Sequence, residues 1–372
     1  FGERFARHWM DVVRYSDTYG YEWDNPAKGS WEYRGYLIRA FNNDVSFDQL
    51  IREQIAGDLL SEPRINKLAG VNESLIGPMF YHMGEHRHET SLQFNGVHQE
   101  MVNNKIDAFS KAFLAMTVAC ARCHDHKLDA ISQRDYYALA GVFMSPRWTS
   151  RVIDAPGKYD AEIVELKRLR STIRQDIARL WQSSTGRAVS GPELKQWALE
   201  MRSVLEKANP DDIAYPLARI MVSSNETIAE MWTKLASQWR KTRESRRKAN
   251  TEQFSFVTDF DEPGFPKGWS VEGDGMVHGY VDDGAPLVSL EDNTLIEQLL
   301  PRGYHTHALS SKLAGALRLP EQDAITGQFI SLELRGGQWA GYLVIPQNAF
   351  QNESVTFFTS GAPSKWISIE DE

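Results

Sequence analysis

The chain has 372 residues, and 50 acidic against 41 basic side chains leave a formal charge of -9. That balance provides no overall basic field for nucleic acid or anionic lipid, and no run of eighteen apolar residues is present to span a bilayer. A mass of 42.3 kDa is enough chain for two or three cores, and the pattern predicts a multidomain α+β protein in three parts, residues 1–150, 151–250 and 251–372.

Residues 1–150 read as helices joined by polar, aromatic-rich loops. Phe1-Gly2-Glu3-Arg4-Phe5 looks like a helix already under way, so the chain is expected to be a fragment, and the lack of a signal peptide in it says nothing about compartment. Phe5, Trp9, Val12 and Val13 recur at helical spacing, as do Leu37, Ile38 and Phe41. Ser46 with Gln49 has the form of a capping box ahead of Phe47, Leu50, Ile51 and Ile55. Val102, Ile106, Phe109, Phe113, Met116, Cys120 and Cys123 then follow in steps of four and three, which predicts one helical stripe with both cysteines on its apolar face. Ser132 with Asp135 caps a further helix through Tyr136, Leu139, Ala140 and Phe143.

The two cysteines of that stripe are all the chain has, and both fall in Cys120-Ala121-Arg122-Cys123-His124. Two thiols about one turn apart and an adjoining imidazole are what a c-type haem requires: thioethers to two vinyl groups and a proximal ligand to iron. The expected cofactor is one covalent haem c held by Cys120, Cys123 and His124. A zinc site using Cys120, Cys123, His126 and a distant histidine, a redox dithiol and a disulfide staple use the same residues. His82, His86, His88 and His98, with Met79 and Met83, crowd one loop-like stretch. These histidines are the candidate sixth ligands, His88 first among them. His126 is discounted as an axial ligand because two residues reach roughly 7 Å, too short to round the macrocycle from His124.

From Lys158 to Ala249 the composition turns to charged helices and predicts a small bundle or hairpin insert. Its stripes are Ile163, Leu166, Ile173, Ile177 and Leu180, then Leu194, Trp197, Met201 and Leu205, then Ile228, Met231, Leu235 and Trp239. The basic run Arg240 to Lys248 reads as a solvated helix face. From Phe254, short alternating runs separated by Gly, Pro, Asn and Asp predict an all-β sandwich, whose last strands are expected to lie beyond Trp366-Ile367-Ser368-Ile369. Trp269, Tyr280, Tyr304, Trp339 and Trp366 offer faces for stacking on a sugar, or for core packing.

Three ordered motifs in the first part resemble one family. They are Arg4-Phe5-Ala6-Arg7-His8-Trp9-Met10-Asp11-Val12-Val13-Arg14-Tyr15; Phe47-Asp48-Gln49-Leu50 with Gln54-Ile55-Ala56-Gly57-Asp58-Leu59; and Cys120-Ala121-Arg122-Cys123-His124-Asp125-His126-Lys127 ahead of Asp135-Tyr136-Tyr137. The family is the planctomycete secreted cytochrome family, in its second domain type, a domain of unknown function. The resemblance implies export, so an extracytoplasmic location, and haem at Cys120, Cys123 and His124. It also implies a redox partner, such as a cytochrome c domain of the same full-length chain, and a lectin-like identity for residues 251–372. Many members carry proline after the aspartate that follows the lysine, where this chain has Ala130 after Asp129.

Electron transfer or haem-dependent redox chemistry is thus the expected function, and any enzyme here would be a haem c-dependent oxidoreductase. The alternatives are a scaffold with a structural CxxC whose sandwich holds extracellular polysaccharide, and a metal-dependent hydrolase using the histidine-rich loop.

Overall fold

The computed structural model describes residues 1–20, 24, 26–84, 96–145, 149–185, 191–200, 219, 228–288, 296–319, 329–334, 341–342, 356–357 and 365–370. The chain is mixed α+β, and its contacts separate residues 1–158, with 343–354, from residues 159–342 and 355–372.

In the first unit, helices α1 (Gly2–Val12), α2 (Ser30–Asn42) and α3 (Phe47–Ala56) surround one core. The short strands β1 (Ile65–Asn66) and β2 (Val71–Asn72) pair antiparallel, and two 3-10 turns, Glu73–Leu75 and Gly77–His82, follow. That core comprises Ala6, Val13, Tyr33, Tyr36, Leu37, Ala40, Leu50, Ile76, Phe80, Met83 and Ala108. Phe5 and Val12, expected inside, are exposed, whereas Val13 is buried as expected and Ala6 is buried beside it in the core. The loop end of α3 meets the second 3-10 turn so closely that a Cβ on Gly77 would lie 2.3 Å from the Glu53 carbonyl oxygen.

Polar side chains fill part of this core. Glu53 and Glu73 are both fully buried. Arg64 forks onto Glu53 with two bonds of 2.8 Å, and Arg39 forks onto Glu73 at 2.7 and 2.9 Å. Tyr36 donates to Glu53 at 2.8 Å, and Gln54 accepts from the Trp9 indole at 2.9 Å and from Tyr33. A buried carboxylate is tolerated only when its oxygens are satisfied this fully. Ser46 stands at the N-cap of α3, yet its side chain bonds no helix amide. The expected capping box is not formed, and the Ser46 hydroxyl is the first cause that holds the Asp48 carboxyl below the ordinary range.

Helices α4 (Val97–Phe109) and α5 (Gln133–Met144) build a second core from Met101, Val102, Ile106, Val118, Ala121, Tyr136, Ala140 and Phe143. Phe109 and Phe113 link it to the first core, with ring centroids 5.4 Å from Phe143 and 5.3 Å from Phe80 respectively. Ser132 and Asp135 form the expected reciprocal cap of α5.

In the second unit, α6 (Asp160–Thr185), α7 (Gly191–Glu200) and α8 (Ile228–Gln253) fall where the charged stripes predicted helices. Ile163 and Ile177 are buried while Leu180 is exposed, and the side chains of Leu194, Trp197, Met201, Leu205 and Trp239 lie outside the described residues. Arg247 of the basic run lies 3.7 Å from both Asp259 and Asp261. The strands that follow form antiparallel pairs: Ser270–Glu272 with Ala316–Arg318, Tyr280–Val281 with Gly303–Tyr304, Ala285–Val288 with Ile296–Leu300, Phe329–Leu334 with Lys365–Glu370, and Gly341–Tyr342 with Thr356–Phe357. Among the described residues each pair stands as a two-stranded ladder. Trp269, Tyr280 and Tyr304 join Phe260 and Phe265 in one aromatic cluster, with Tyr304 4.2 Å from Phe265 and 5.5 Å from Tyr280 between centroids. Trp339 and the side chain of Trp366 lie outside the described residues. Among the described residues no helix is long and apolar enough to cross a membrane.

Candidate functional site

The stripe that leads to the cysteines does not run as one helix. Helix α4 ends at Phe109, passes into a π-turn over Ser110–Leu114, and stops where Ala115 adopts a left-handed backbone with φ of 52°. A 3-10 turn, Val118–Arg122, then carries Cys120, with Cys123 as the residue that closes it. Step counting cannot see such a reversal, because a non-glycine residue at positive φ is set by packing and carries no composition signal.

The tighter turn changes which residues share a face. With three residues per turn, positions i and i+3 are eclipsed. Val118 and Ala121 are buried together in the second core, and Cys120 and Cys123 are exposed. The expectation that both cysteines continue an apolar face is therefore corrected: they are exposed and not joined in a disulfide.

The turn is held by its neighbours. Arg122 reaches back to Glu100 of α4 at 2.8 Å, and this hydrogen bond is the first cause that keeps its guanidinium above its ordinary range. The Arg122 carbonyl accepts from the Gln133 side chain at 3.0 Å and from the Tyr137 hydroxyl at 3.3 Å, both on α5. Asp125 accepts from the Gln133 backbone amide at 2.8 Å.

His124 is exposed, and its Nδ1 lies 2.8 Å from the Asp125 carbonyl oxygen. A carbonyl only accepts, so Nδ1 carries the proton and Nε2 presents a lone pair, the tautomer in which histidine binds a metal. His126 is in the opposite state. Its Nδ1 accepts from the Asp129 amide at 2.9 Å and the Leu128 amide at 3.3 Å, so Nε2 carries the proton, 3.4 Å from Thr117 Oγ1. His126 is thus the lock of the loop, and a zinc site would have to break these bonds to recruit it. Among the described residues no three His, Cys, Asp or Glu side chains gather as a metal would need.

Of the candidate sixth ligands, His86 and His88 lie outside the described residues. His82 bonds Tyr19 Oη through its Nε2 at 2.6 Å, and His98 is half-buried in the first turn of α4. Met83 is buried in the first core and Met79 packs against it. Nearby, Lys105 is buried with Nζ 3.1 Å from the Met83 carbonyl, and burial pushes its pKa down to about 7.

The residues that fix the turn, Glu100, Arg122, Asp125, Gln133 and Tyr137, were not singled out as a set from the sequence. No local signal marks the change of period, because residues three apart share a face in an α-helix as well as in a 3-10 turn.

Haem attachment asks for two accessible thiols about one turn apart and an imidazole nitrogen free to bind iron. Cys120, Cys123 and His124 Nε2 meet that requirement. No curated protein and no solved structure matches the chain. Residues 1–147 match the family model PSCyt2, described as a protein of unknown function (DUF1549), the second domain type to which the sequence motifs pointed.

Proposed function

We propose that the first unit is an exported c-type haem domain, with Cys120 and Cys123 as the covalent anchors, His124 as the proximal ligand, and electron transfer as its function. The observation that carries this reading is the pair of exposed, unlinked thiols three residues apart beside an imidazole whose Nδ1 is engaged by the Asp125 carbonyl, leaving Nε2 for iron. A structural CxxC would place its sulfurs in the core or in a staple, and these are exposed and unlinked. Bound there, haem c would supply one-electron redox chemistry. The chain's own contribution is to hold the turn against α4 and α5 and to keep the His124 proton on Nδ1. Export and a cytochrome partner follow from the family resemblance, as does the lectin-like reading of residues 251–372. In the aromatic cluster, Tyr280 Oη donates to the Asp261 carbonyl at 2.7 Å and Tyr304 Oη accepts from the Gly264 amide at 2.8 Å. These bonds hold the hydroxyls of the two tyrosines, and Trp269, Tyr280 and Tyr304 are each half-buried.

The test is production of the chain in a host that exports it and matures c-type cytochromes. The protein should be coloured and should keep its haem through acid-acetone extraction and a denaturing gel. Cys120→Ser with Cys123→Ser should abolish retention, and His124→Ala should keep the thioethers while changing the iron spectrum. Colourless wild-type protein from a maturation-competent host would overturn the reading, and metal analysis of that protein would then separate a scaffold from a metal-dependent hydrolase.

A further inference from the structure

The exposed His124 ring needs something to fix it, because an exposed imidazole samples both neutral tautomers and several rotamers. Its acceptor is a main-chain carbonyl in a loop, and a loop carbonyl orients a ring only if the loop itself is fixed. Asp125 supplies that fixing. Its carboxylate accepts the Gln133 amide, the first N–H of α5, which has no intrahelical partner of its own. Gln133 also grips the Arg122 carbonyl with its side chain. One residue of α5 therefore holds the chain on both sides of Cys123-His124, at Arg122 and at Asp125.

We propose that Asp125 is the positioning residue of His124: its carboxylate, docked on α5 through Gln133, sets its own carbonyl where the His124 Nδ1–H must donate. This rests on the reading of His124 as a ligand, but the positioning is a property of the polypeptide and is measurable without haem. The Ser132–Asp135 cap bonds the amides of Asp135 and Ser132, whereas Asp125 takes that of Gln133, so the helix end is capped independently of Asp125.

The experiment is imidazole nitrogen-15 NMR on the full, haem-free 372-residue chain, at a pH about two units above the ordinary histidine range so that neutral rings are observed. In the wild type His124 should show the single Nδ1–H pattern, and His126 the single Nε2–H pattern. Asp125→Ala should turn the His124 pattern into the averaged one of an unconstrained histidine and leave His126 unchanged. Asp125→Asn, whose side-chain oxygen still accepts the Gln133 amide, should restore the wild-type pattern. Ser132→Ala, which weakens the cap without touching Asp125, should leave His124 as it is. An unchanged His124 in Asp125→Ala would overturn the proposal, and so would simultaneous loss of the His126 pattern, since that reports a loop that has come apart. A fixed His124 tautomer in a chain that never takes up haem would leave the positioning intact and refute the haem reading. Haem uptake with an unmoved tautomer in Asp125→Ala would do the reverse.

Discussion

Glu53 shows how much of the first unit depends on single polar groups. Burial pushes its carboxyl up, but the Arg64 fork, helped by Gln49 and Tyr36, outweighs that and holds it below the ordinary carboxylate range. Such a group contributes stability above the unfolded pKa, about 4.3 for glutamate, and loses it as pH falls through the lower folded value. Glu53→Gln leaves Arg64 facing an amide that cannot accept its fork, and breaking a buried pair in this way costs about 3 to 5 kcal/mol. The variant is expected to be less stable by that order at pH 7 in urea unfolding, and its stability should change less than the wild type's between about pH 6 and pH 3. Parallel pH profiles for the two proteins would show that the carboxylate is not the coupled group. In the sequence this site hides in plain view: Glu53 and Gln54 stand three and four residues after Leu50, on the stripe where apolar residues belong. A helical pattern with polar residues on its buried face is the signature of an internal network, and periodicity counted over apolar residues alone passes it by.

Ala115 decides the element that matters most for the site. Its left-handed backbone ends the α4 stripe and turns the cysteines outward, and this conformation costs an L-residue roughly 1 to 2 kcal/mol that glycine does not incur. Ala115→Gly is expected to change stability by less than about 1 kcal/mol in either direction, since relief of strain is offset by greater freedom in the unfolded chain. Ala115→Val should lose well over that, because a β-branched residue resists the same φ. The measurement is thermal unfolding of the three proteins, and equal losses for glycine and valine would argue for a continuous helix through Ala115. Helices α2, α3, α5, α6 and α8 were legible because their apolar residues or caps keep one period from end to end. The CxxCH segment was legible as a motif and illegible as shape. The exchange of a 3.6-residue period for three depends on Val118 and Ala121 finding a place between α4 and α5, contacts that no local pattern contains. Strands such as Phe329–Leu334 were read from alternation, while alternation assigns a strand's faces and not its partner, and among the described residues each pair is a two-stranded ladder.

The described contacts that shape the candidate site all lie in residues 1–158. Both of that unit's cores, the Glu53 and Glu73 networks and the supports of Cys120, Cys123 and His124 draw their described partners from that stretch. A stretch of about 150 residues buries close to 70% of the surface its unfolded chain exposes, enough for independent stability without a staple. The fragment 1–158 is therefore expected to fold alone, with a single cooperative thermal transition. Glu53→Gln should lower the stability of the fragment by the same amount as in the full chain, within about 0.5 kcal/mol, because all partners of that carboxylate are retained. Made in the maturation-competent host, the fragment should retain covalent haem whenever the full chain does. Calorimetry and haem staining of fragment and full chain side by side make the check. A fragment without a cooperative transition would overturn the expectation that it folds alone. A folded fragment that stays colourless beside a coloured full chain would move the haem's protein environment beyond residue 158.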